Sequence, residues 1–133
     1  MQAATCRKIL VSSRAAVGWL SVLAPNLIGR AWRMRSPLDK DVKFAVRLFG
    51  IRNVLLGYQL YQAERPDAET GELEEVIRQG IAVDTFDALF ALFSRRGGRV
   101  AFSGSTIPFV ASIVGAVLGV LGRERAPDPQ GPR

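Results

Sequence analysis

The chain has 133 residues, enough for one domain, and 48% of them are hydrophobic while 23% are charged. It contains no histidine and a single cysteine, Cys6, which excludes histidine acid–base chemistry, an intrachain disulfide and the usual zinc sites; we predict no metal and no cofactor. The net charge of +6 does not indicate nucleic acid, because the lysines and arginines gather at the ends of apolar segments. This placement favours a lipid bilayer with anionic head groups.

Four apolar segments of helical length are separated by charged connectors. At 1.5 Å per residue the first is about 30 Å long, which is the thickness of the hydrocarbon core of a bilayer. The predicted fold is therefore all-α, a four-transmembrane-helix antiparallel bundle over residues 1–122, with a disordered tail over residues 123–133. The predicted helices cover about residues 9–29, 42–61, 76–93 and 105–121.

The first segment contains two residues that are unusual in a membrane helix. Arg14 lies little more than one turn from its start, so we expect the guanidinium to reach the interface. Pro25 is expected to bend the last turns. Arg7 and Lys8 before an apolar run are also typical of a signal peptide, but Arg14 interrupts the run and no cleavage site of small residues follows.

The second and third segments carry charges well inside them: Arg47 and Arg52 in one, Asp84 and Asp87 in the other. In a bilayer each central Arg or Asp costs roughly 2.5–3.5 kcal/mol, while each Leu, Ile, Phe or Val returns only about 0.3–0.6 kcal/mol. Each segment therefore needs a partner for its charges. If the second and third segments form an antiparallel hairpin, Arg52 and Asp84 lie at the same depth in the membrane, and so do Arg47 and Asp87. This predicts the ion pairs Arg52–Asp84 and Arg47–Asp87.

The angles of these side chains around their helices agree with the predicted pairs less well than their depths do. Arg47 and Arg52 are about 140° apart, whereas the two aspartates are about 60° apart. One arginine must reach around its helix, or Asn53, Gln59 or a backbone carbonyl must take part. The charges either hold the bundle together or line a polar cavity for an ion, a proton or a lipid head group. The predicted polar cluster consists of Arg47, Arg52, Asn53, Asp84 and Asp87.

Small residues at helical spacing predict close contacts between the helices. Gly50 and Gly57 are seven apart and fall near one face of the second segment. Gly80 shares a face with the two aspartates of the third segment. The fourth segment contains a ladder of small residues spaced by four. The predicted packing residues are Gly50, Gly57, Gly80, Ala111, Gly115 and Gly119.

The connectors predict the orientation of the chain in the membrane. Residues 30–43 and 94–104 together carry eight lysines and arginines, whereas the connector at residues 62–75 is acidic. By the positive-inside rule the basic connectors face the cytoplasm, so both termini lie outside. The predicted localisation is the inner (plasma) membrane, with several passes.

The order of these features resembles a group of small bacterial four-helix membrane proteins that are broadly DoxX-like. The resemblance covers roughly residues 9–122 and implies a four-helix membrane bundle without a defined reaction. Some DoxX-like proteins are linked to redox complexes, but this chain has neither a cysteine pair nor a histidine to support that role. The resembling motifs are Arg14-x3-Gly18 with Pro25, Arg47-x2-Gly-Ile-Arg52-Asn53-x3-Gly57, and Asp84-x2-Asp87.

The favoured function is a small accessory or scaffold subunit, which packs through its glycine faces against itself or a larger membrane complex. The alternative is a small carrier or an ion or proton pathway through the Arg/Asp cluster. A membrane enzyme that acts on lipid has only two aspartates in its support, so we expect no enzymatic activity. A soluble four-helix bundle is the remaining interpretation.

Overall fold

Helices make up the fold, which confirms the prediction of an all-α protein. The computed structural model describes residues 2–69, 71–96 and 102–123. All regular secondary structure in these ranges is helical. Residues 97–101 of the second basic connector and residues 124–133 of the predicted tail lie outside the described residues. The helices are α1 (Ala3–Leu23), α2 (Pro25–Ala31), α3 (Lys40–Ala63), α4 (Glu72–Arg96) and α5 (Phe102–Gly122).

The first apolar segment forms two helices because of its proline. Proline disfavours the helical conformation of the residue before it, and its own fixed φ suits the first position of a helix. Accordingly, Ala24 leaves the helical region at φ −131° and ψ 59°, and Pro25 opens α2. The other end of the segment also differs from the predicted boundary, because α1 already begins at Ala3.

The starts of α3 and α4 follow the ordinary chemistry of helix N-termini. The Asp39 carboxylate accepts a hydrogen bond of 2.8 Å from the backbone N–H of Val42, which satisfies one of the free donors of α3. The first turn of α4 contains three glutamates, whose negative charges interact favourably with the positive end of the helix dipole. Gly71, just before α4, has φ +93°, a conformation that glycine adopts without strain.

Helices α1 and α3 run antiparallel and approach each other closely. Gly18 of α1 meets Gly50 of α3, and Arg14, one turn earlier in α1, meets Gly57, two turns later in α3. A Cβ added at Gly50 would lie only 2.6 Å from the carbonyl oxygen of Gly18. The backbones can touch here only because both residues lack a side chain.

Helices α4 and α5 form a second antiparallel pair. Gly115 of α5 packs on Asp84 of α4, and Gly119 packs on Ile81, one turn closer to the start of α4. A Cβ added at Gly119 would lie 2.7 Å from Cγ1 of Ile81. The two pairs then pack together, α1 against α5 and α3 against α4, and this completes a bundle of four long helices.

The apolar core is small, and polar side chains share the interior with it. One apolar cluster is formed by Leu10, Leu60 and Ile77, and a second, around the turn after α2, by Ile28, Leu38 and Val46. Large apolar side chains cover much of the outside of α3, α4 and α5. The buried polar residues are Arg7, Arg14, Ser21, Asn53, Asp84 and Ser112. Among the described residues, no helix combines the length and the apolar character that a membrane crossing needs.

Candidate functional site

A buried ion pair between α1 and α4 lies at the centre of the bundle. Nη2 of Arg14 donates a hydrogen bond of 2.6 Å to Oδ2 of Asp84, and the two side chains are only 6% and 11% exposed. Arg14 lies in the middle of α1 because the helix begins at Ala3. The expectation that its guanidinium reaches the interface is therefore wrong. Two full charges in the interior require this pairing, since either alone would carry a large desolvation cost.

Three glycines make room for the Arg14–Asp84 pair. A Cβ at Gly80 would lie 3.0 Å from Nη1 of Arg14, and one at Gly57 would lie 3.3 Å from its Cβ. On the other side, a Cβ at Gly115 would lie 2.5 Å from Oδ2 of Asp84. These glycines admit the charged groups between the helices as well as bringing backbones together.

A second ion pair joins α3 to α4. Nη1 of Arg52 donates to Oδ1 of Asp87 over 2.8 Å, and Nη2 donates to Oδ2, so the contact is bidentate. The guanidinium carbon lies 5.2 Å from the centre of the Phe49 ring. With side-chain exposures of 36% and 27%, this pair is less buried than the first. Nε of Arg52 is buried and has no hydrogen-bond partner among the described residues.

The predicted pairing of the charges is wrong, although three of the four groups belong to ion pairs. Asp84 binds Arg14, not Arg52, and Asp87 binds Arg52, not Arg47. Arg47 is exposed, and its Nε donates to the carbonyl oxygen of Val22 over 3.3 Å. This contact is the backbone interaction that the wheel left open, and it removes Arg47 from the cluster.

Asn53 keeps a place beside the ion pairs without binding either one. Its Nδ2 donates to the carbonyl oxygen of Phe49 over 2.9 Å, within α3. Sequence reasoning missed Arg14 as a member of the cluster. A signal existed, because Arg7, Arg14 and Ser21 are seven residues apart and all three are buried on one face of α1.

The six predicted packing residues have different environments. Gly50 and Gly119 admit a neighbouring helix, whereas Gly57, Gly80 and Gly115 border the Arg14–Asp84 pair. Ala111 is exposed and lines a cavity next to the ion pairs. The glycine spacing therefore found close contacts, but it did not indicate that several of them enclose charge.

The end of the bundle where α1 begins is held by further arginine contacts. Nε of Arg7 donates to Oε1 of Glu64 over 2.6 Å, and its Nη1 donates to the carbonyl oxygen of Gly122 over 2.9 Å. Beside them Nε of Arg123 donates to Oε1 of Glu74 over 2.9 Å. That hydrogen bond lowers the pKa of the exposed Glu74 carboxyl. Contacts from four helices meet at this end.

The cavity beside the ion pairs has a volume of about 170 Å³ and lies between all four long helices. Its polar wall includes both ion pairs and Asn53, and its apolar wall includes Phe49 and Leu118. The cluster thus borders a space that a small molecule, an ion or water can enter. The described residues contain no group of three or more potential metal ligands of the His, Cys, Asp or Glu type.

No protein-family model matches the chain, and neither the curated proteins nor the solved structures contain a match to it. The functional argument therefore rests on the geometry of the cluster and on the outer surface of the bundle.

Proposed function

We propose that this protein is a small integral membrane protein that serves as an accessory or scaffold subunit, with the Arg/Asp cluster holding its bundle together. The observation that carries the proposal is the distribution of polarity. Both ion pairs of the cluster lie between helices, while large apolar side chains cover the outside. A water-soluble bundle places these groups the other way round.

The exposed apolar residues supply the surface that lipid would contact. They form extended stripes rather than isolated positions, and contiguous apolar surface of this kind marks a membrane or protein contact. Mean hydropathy along a helix counts the inward-facing charges, whereas lipid meets only the outer face. The stripes include Leu48, Ile51 and Leu55 of α3, Phe86, Phe90 and Phe93 of α4, and Val110, Val117 and Leu121 of α5.

The proposed orientation places the basic connector after α2 at the cytoplasmic surface. Arg30 in the last turn of α2 is exposed, as are Arg33 and Arg35 after it and Lys40 at the start of α3. Cations beside apolar helices suit anionic head groups in the inner (plasma) membrane, and both termini then lie outside. The resemblance of the sequence to DoxX-like proteins implies a four-helix membrane bundle but carries no orientation.

The accessory role follows from size and surface. In a small bundle whose buried cluster charges pair with one another, the outer helix faces remain available for binding. Such faces suit a second copy of the chain or a larger membrane complex.

Membrane fractionation followed by mild detergent purification tests the proposal in two steps. We expect the protein to stay in the membrane pellet through carbonate and high-salt washes. After crosslinking in intact cells, we expect it to purify joined to a second copy of the chain or to a partner protein. Release by carbonate would contradict the membrane assignment. Retention in the pellet with a lone monomer in every crosslinking condition would contradict only the scaffold role.

The alternative function, a small carrier or an ion or proton pathway, is favoured by one observation. The Arg52–Asp87 pair is partly exposed and borders the cavity, so its charges are within reach of an entering solute. Transport in proteoliposomes that is lost in both Asp84→Asn and Asp87→Asn would support this function. Transport that neither substitution changes would exclude the cluster as its pathway.

A further inference from the structure

The segment between α2 and α3 is held in a fixed conformation by the bundle. The backbone N–H of Leu38 donates to Oδ1 of Asn26 over 3.2 Å, and the backbone N–H of Met34 donates to the carbonyl oxygen of Gly29 over 2.8 Å. Leu38 is also buried in the apolar cluster between α2 and α3. Residues 30–40, which we call the basic platform, therefore present their cationic side chains from an ordered backbone.

The arginines of the basic platform have no anionic partner among the described residues. Arg30, Arg33 and Arg35 are exposed and form no salt bridge there. Arg30 donates only to the hydroxyl of Ser36, over 3.3 Å, and the nearby Asp39 carboxylate caps α3. At the opposite end of the bundle three arginines each bind a carboxylate, in the pairs Arg7–Glu64, Arg65–Asp67 and Arg123–Glu74. Positive charge on the platform is therefore available to an anion from outside the chain.

Arg33 has a backbone conformation that favours glycine. Its φ is +57°, in the left-handed region, and its N–H donates to the carbonyl oxygen of Arg30 while that of Met34 donates to Gly29. These two hydrogen bonds form a Schellman motif at the end of α2, and glycine is the usual residue at the left-handed position because a Cβ is strained there. The Arg33 side chain forms no hydrogen bond or ion pair with the described residues. The turn therefore carries an arginine at a cost in strain, and its guanidinium remains available for binding.

Exposed apolar side chains lie on the same helix faces as the cations. On α2, Leu27 is 54% exposed and precedes Arg30 by three residues, so both lie on the outer face of that helix. On α3, Phe44 is 64% exposed and lies one turn after Lys40, toward the middle of the helix. A soluble anion would use the cations alone. An anionic lipid uses both groups, because its phosphate lies at the membrane surface and its chains lie below.

We infer that the basic platform is a selective binding site for the phosphate group of an anionic lipid. The guanidinium groups of the platform donate charge-assisted hydrogen bonds to the phosphate oxygens, and Leu27 and Phe44 contact the acyl chains. The inference rests on the proposed membrane location and deepens it. It adds one defined site, centred on Arg33, to the general attraction between cations and anionic head groups.

Trp32 lies next to Arg33 and provides a local reporter for the full-length protein in vesicles. The chain has two tryptophans, so Trp19→Phe leaves Trp32 as the only one. The vesicles contain phosphatidylglycerol and phosphatidylcholine, one of which is brominated, and quenching of Trp32 fluorescence reports which lipid is beside it. One arginine near an anionic lipid surface changes affinity about fivefold. We therefore expect at least about a fivefold preference for phosphatidylglycerol beside Trp32.

Arg33→Gly separates lipid binding from folding, because it removes the guanidinium and also relieves the strained backbone. We expect the preference to fall to about twofold or less, while the melting temperature in detergent stays the same or rises. Arg35→Gln, at a second exposed position of the platform, should also lower the preference. The matched control is Arg65→Gln, which removes an exposed arginine of the opposite connector that is already paired with Asp67. It should leave the preference unchanged.

Three results would overturn the inference and leave the proposed function intact, provided that the protein stays in the vesicles through a carbonate wash. The first is equal quenching of Trp32 by the two lipids. The second is a preference that neither Arg33→Gly nor Arg35→Gln lowers, which would place the anionic lipid elsewhere. The third is loss of the preference on addition of millimolar glycerol 3-phosphate, which would assign the platform to a soluble phosphate. Release of the protein by carbonate would instead contradict the membrane location and the inference together.

Discussion

Replacement of Asp84 by asparagine should destabilise the protein more than any other conservative change in the cluster. Asn has nearly the same shape, so it can occupy the space that Gly115 leaves, but it removes the negative charge. Arg14 would then remain in the interior with its positive charge uncompensated. Breaking a buried ion pair in this way costs about 3–5 kcal/mol, and we expect a loss of unfolding free energy of that size.

The Arg52–Asp87 pair provides the matched control. Its carboxylate, Asp87, lies one turn from Asp84 on α4, but both side chains of this pair are more exposed than those of the first pair. The pair also borders the cavity, which water can enter, so solvent screens its charges and Asp87→Asn should cost only about 1 kcal/mol. The double variant Arg14→Met with Asp84→Asn should recover most of the loss of the single variant, because no unpaired charge remains inside.

The free energy of unfolding can be measured in mild detergent by denaturant titration, with tryptophan fluorescence as the signal. Trp32 is a suitable reporter because its ring packs edge-on against Phe49, with 5.2 Å between the ring centres. An equal cost for Asp84→Asn and Asp87→Asn would refute the assignment of Arg14–Asp84 as the buried pair. The same conclusion would follow if the double variant were as unstable as Asp84→Asn.

Three further predictions concern the close contacts and the end of the bundle, and each is read from the free energy of unfolding. Gly115→Ala should destabilise by about 2 kcal/mol, because the new Cβ would lie 2.5 Å from Asp84; an unchanged stability would contradict this contact. Gly50→Ala should cost about 3 kcal/mol, since its Cβ would meet the backbone of Gly18, which cannot move aside as a side chain can; a smaller loss than that of Gly115→Ala would be inconsistent. The ion pair with Arg123 lowers the pKa of Glu74 in the folded protein, so the pair stabilises the fold at pH values above the unfolded-state pKa. That stability is lost as the pH falls through the lowered folded-state pKa, below 4.5. Glu74→Gln should therefore make the decline in stability at acid pH shallower, and an identical pH profile would count against the pair.

The apolar segments predicted the helical fold well, because hydrophobic runs between charged connectors leave few alternatives to helices. The division of the first segment is also explained by local chemistry, since Pro25 disfavours a helical Ala24. The start of α1 could not be read in the same way. Residues 3–8 are mixed in polarity, and they are helical because Cys6 and Arg7 pack against the rest of the bundle.

The misplaced start of α1 explains why Arg14 was left out of the predicted cluster. With a helix starting near residue 9, Arg14 lies close to an end and its side chain is expected to reach the interface. With a helix starting at Ala3, Arg14 lies in the middle and faces Asp84. The sequence analysis gave more weight to depth along the helices, and the pairs that depth predicted are wrong. The wheel angle correctly indicated that Arg47 and Arg52 do not both face the aspartates.

The choice between partners could not be made from the sequence because it depends on the rotation of each helix about its own axis. That rotation is set by Gly18 against Gly50, which turns the Arg52 face of α3 toward α4 and leaves Arg47 beside Val22. The glycine spacing identified these helix faces as contact surfaces. It did not say which helix each face contacts.

The central claim is that the apolar outer faces of the bundle contact lipid while the charges pair inside. Spin labels attached at Ile51, Phe90 and Val117, one at a time in a Cys6→Ser background, test it in reconstituted bilayers. We predict strong collision broadening by oxygen and weak broadening by a water-soluble nickel complex at all three exposed positions, with the reverse at Asp67 in the acidic connector. Nickel accessibility at the three helix positions equal to that at Asp67 would contradict the account.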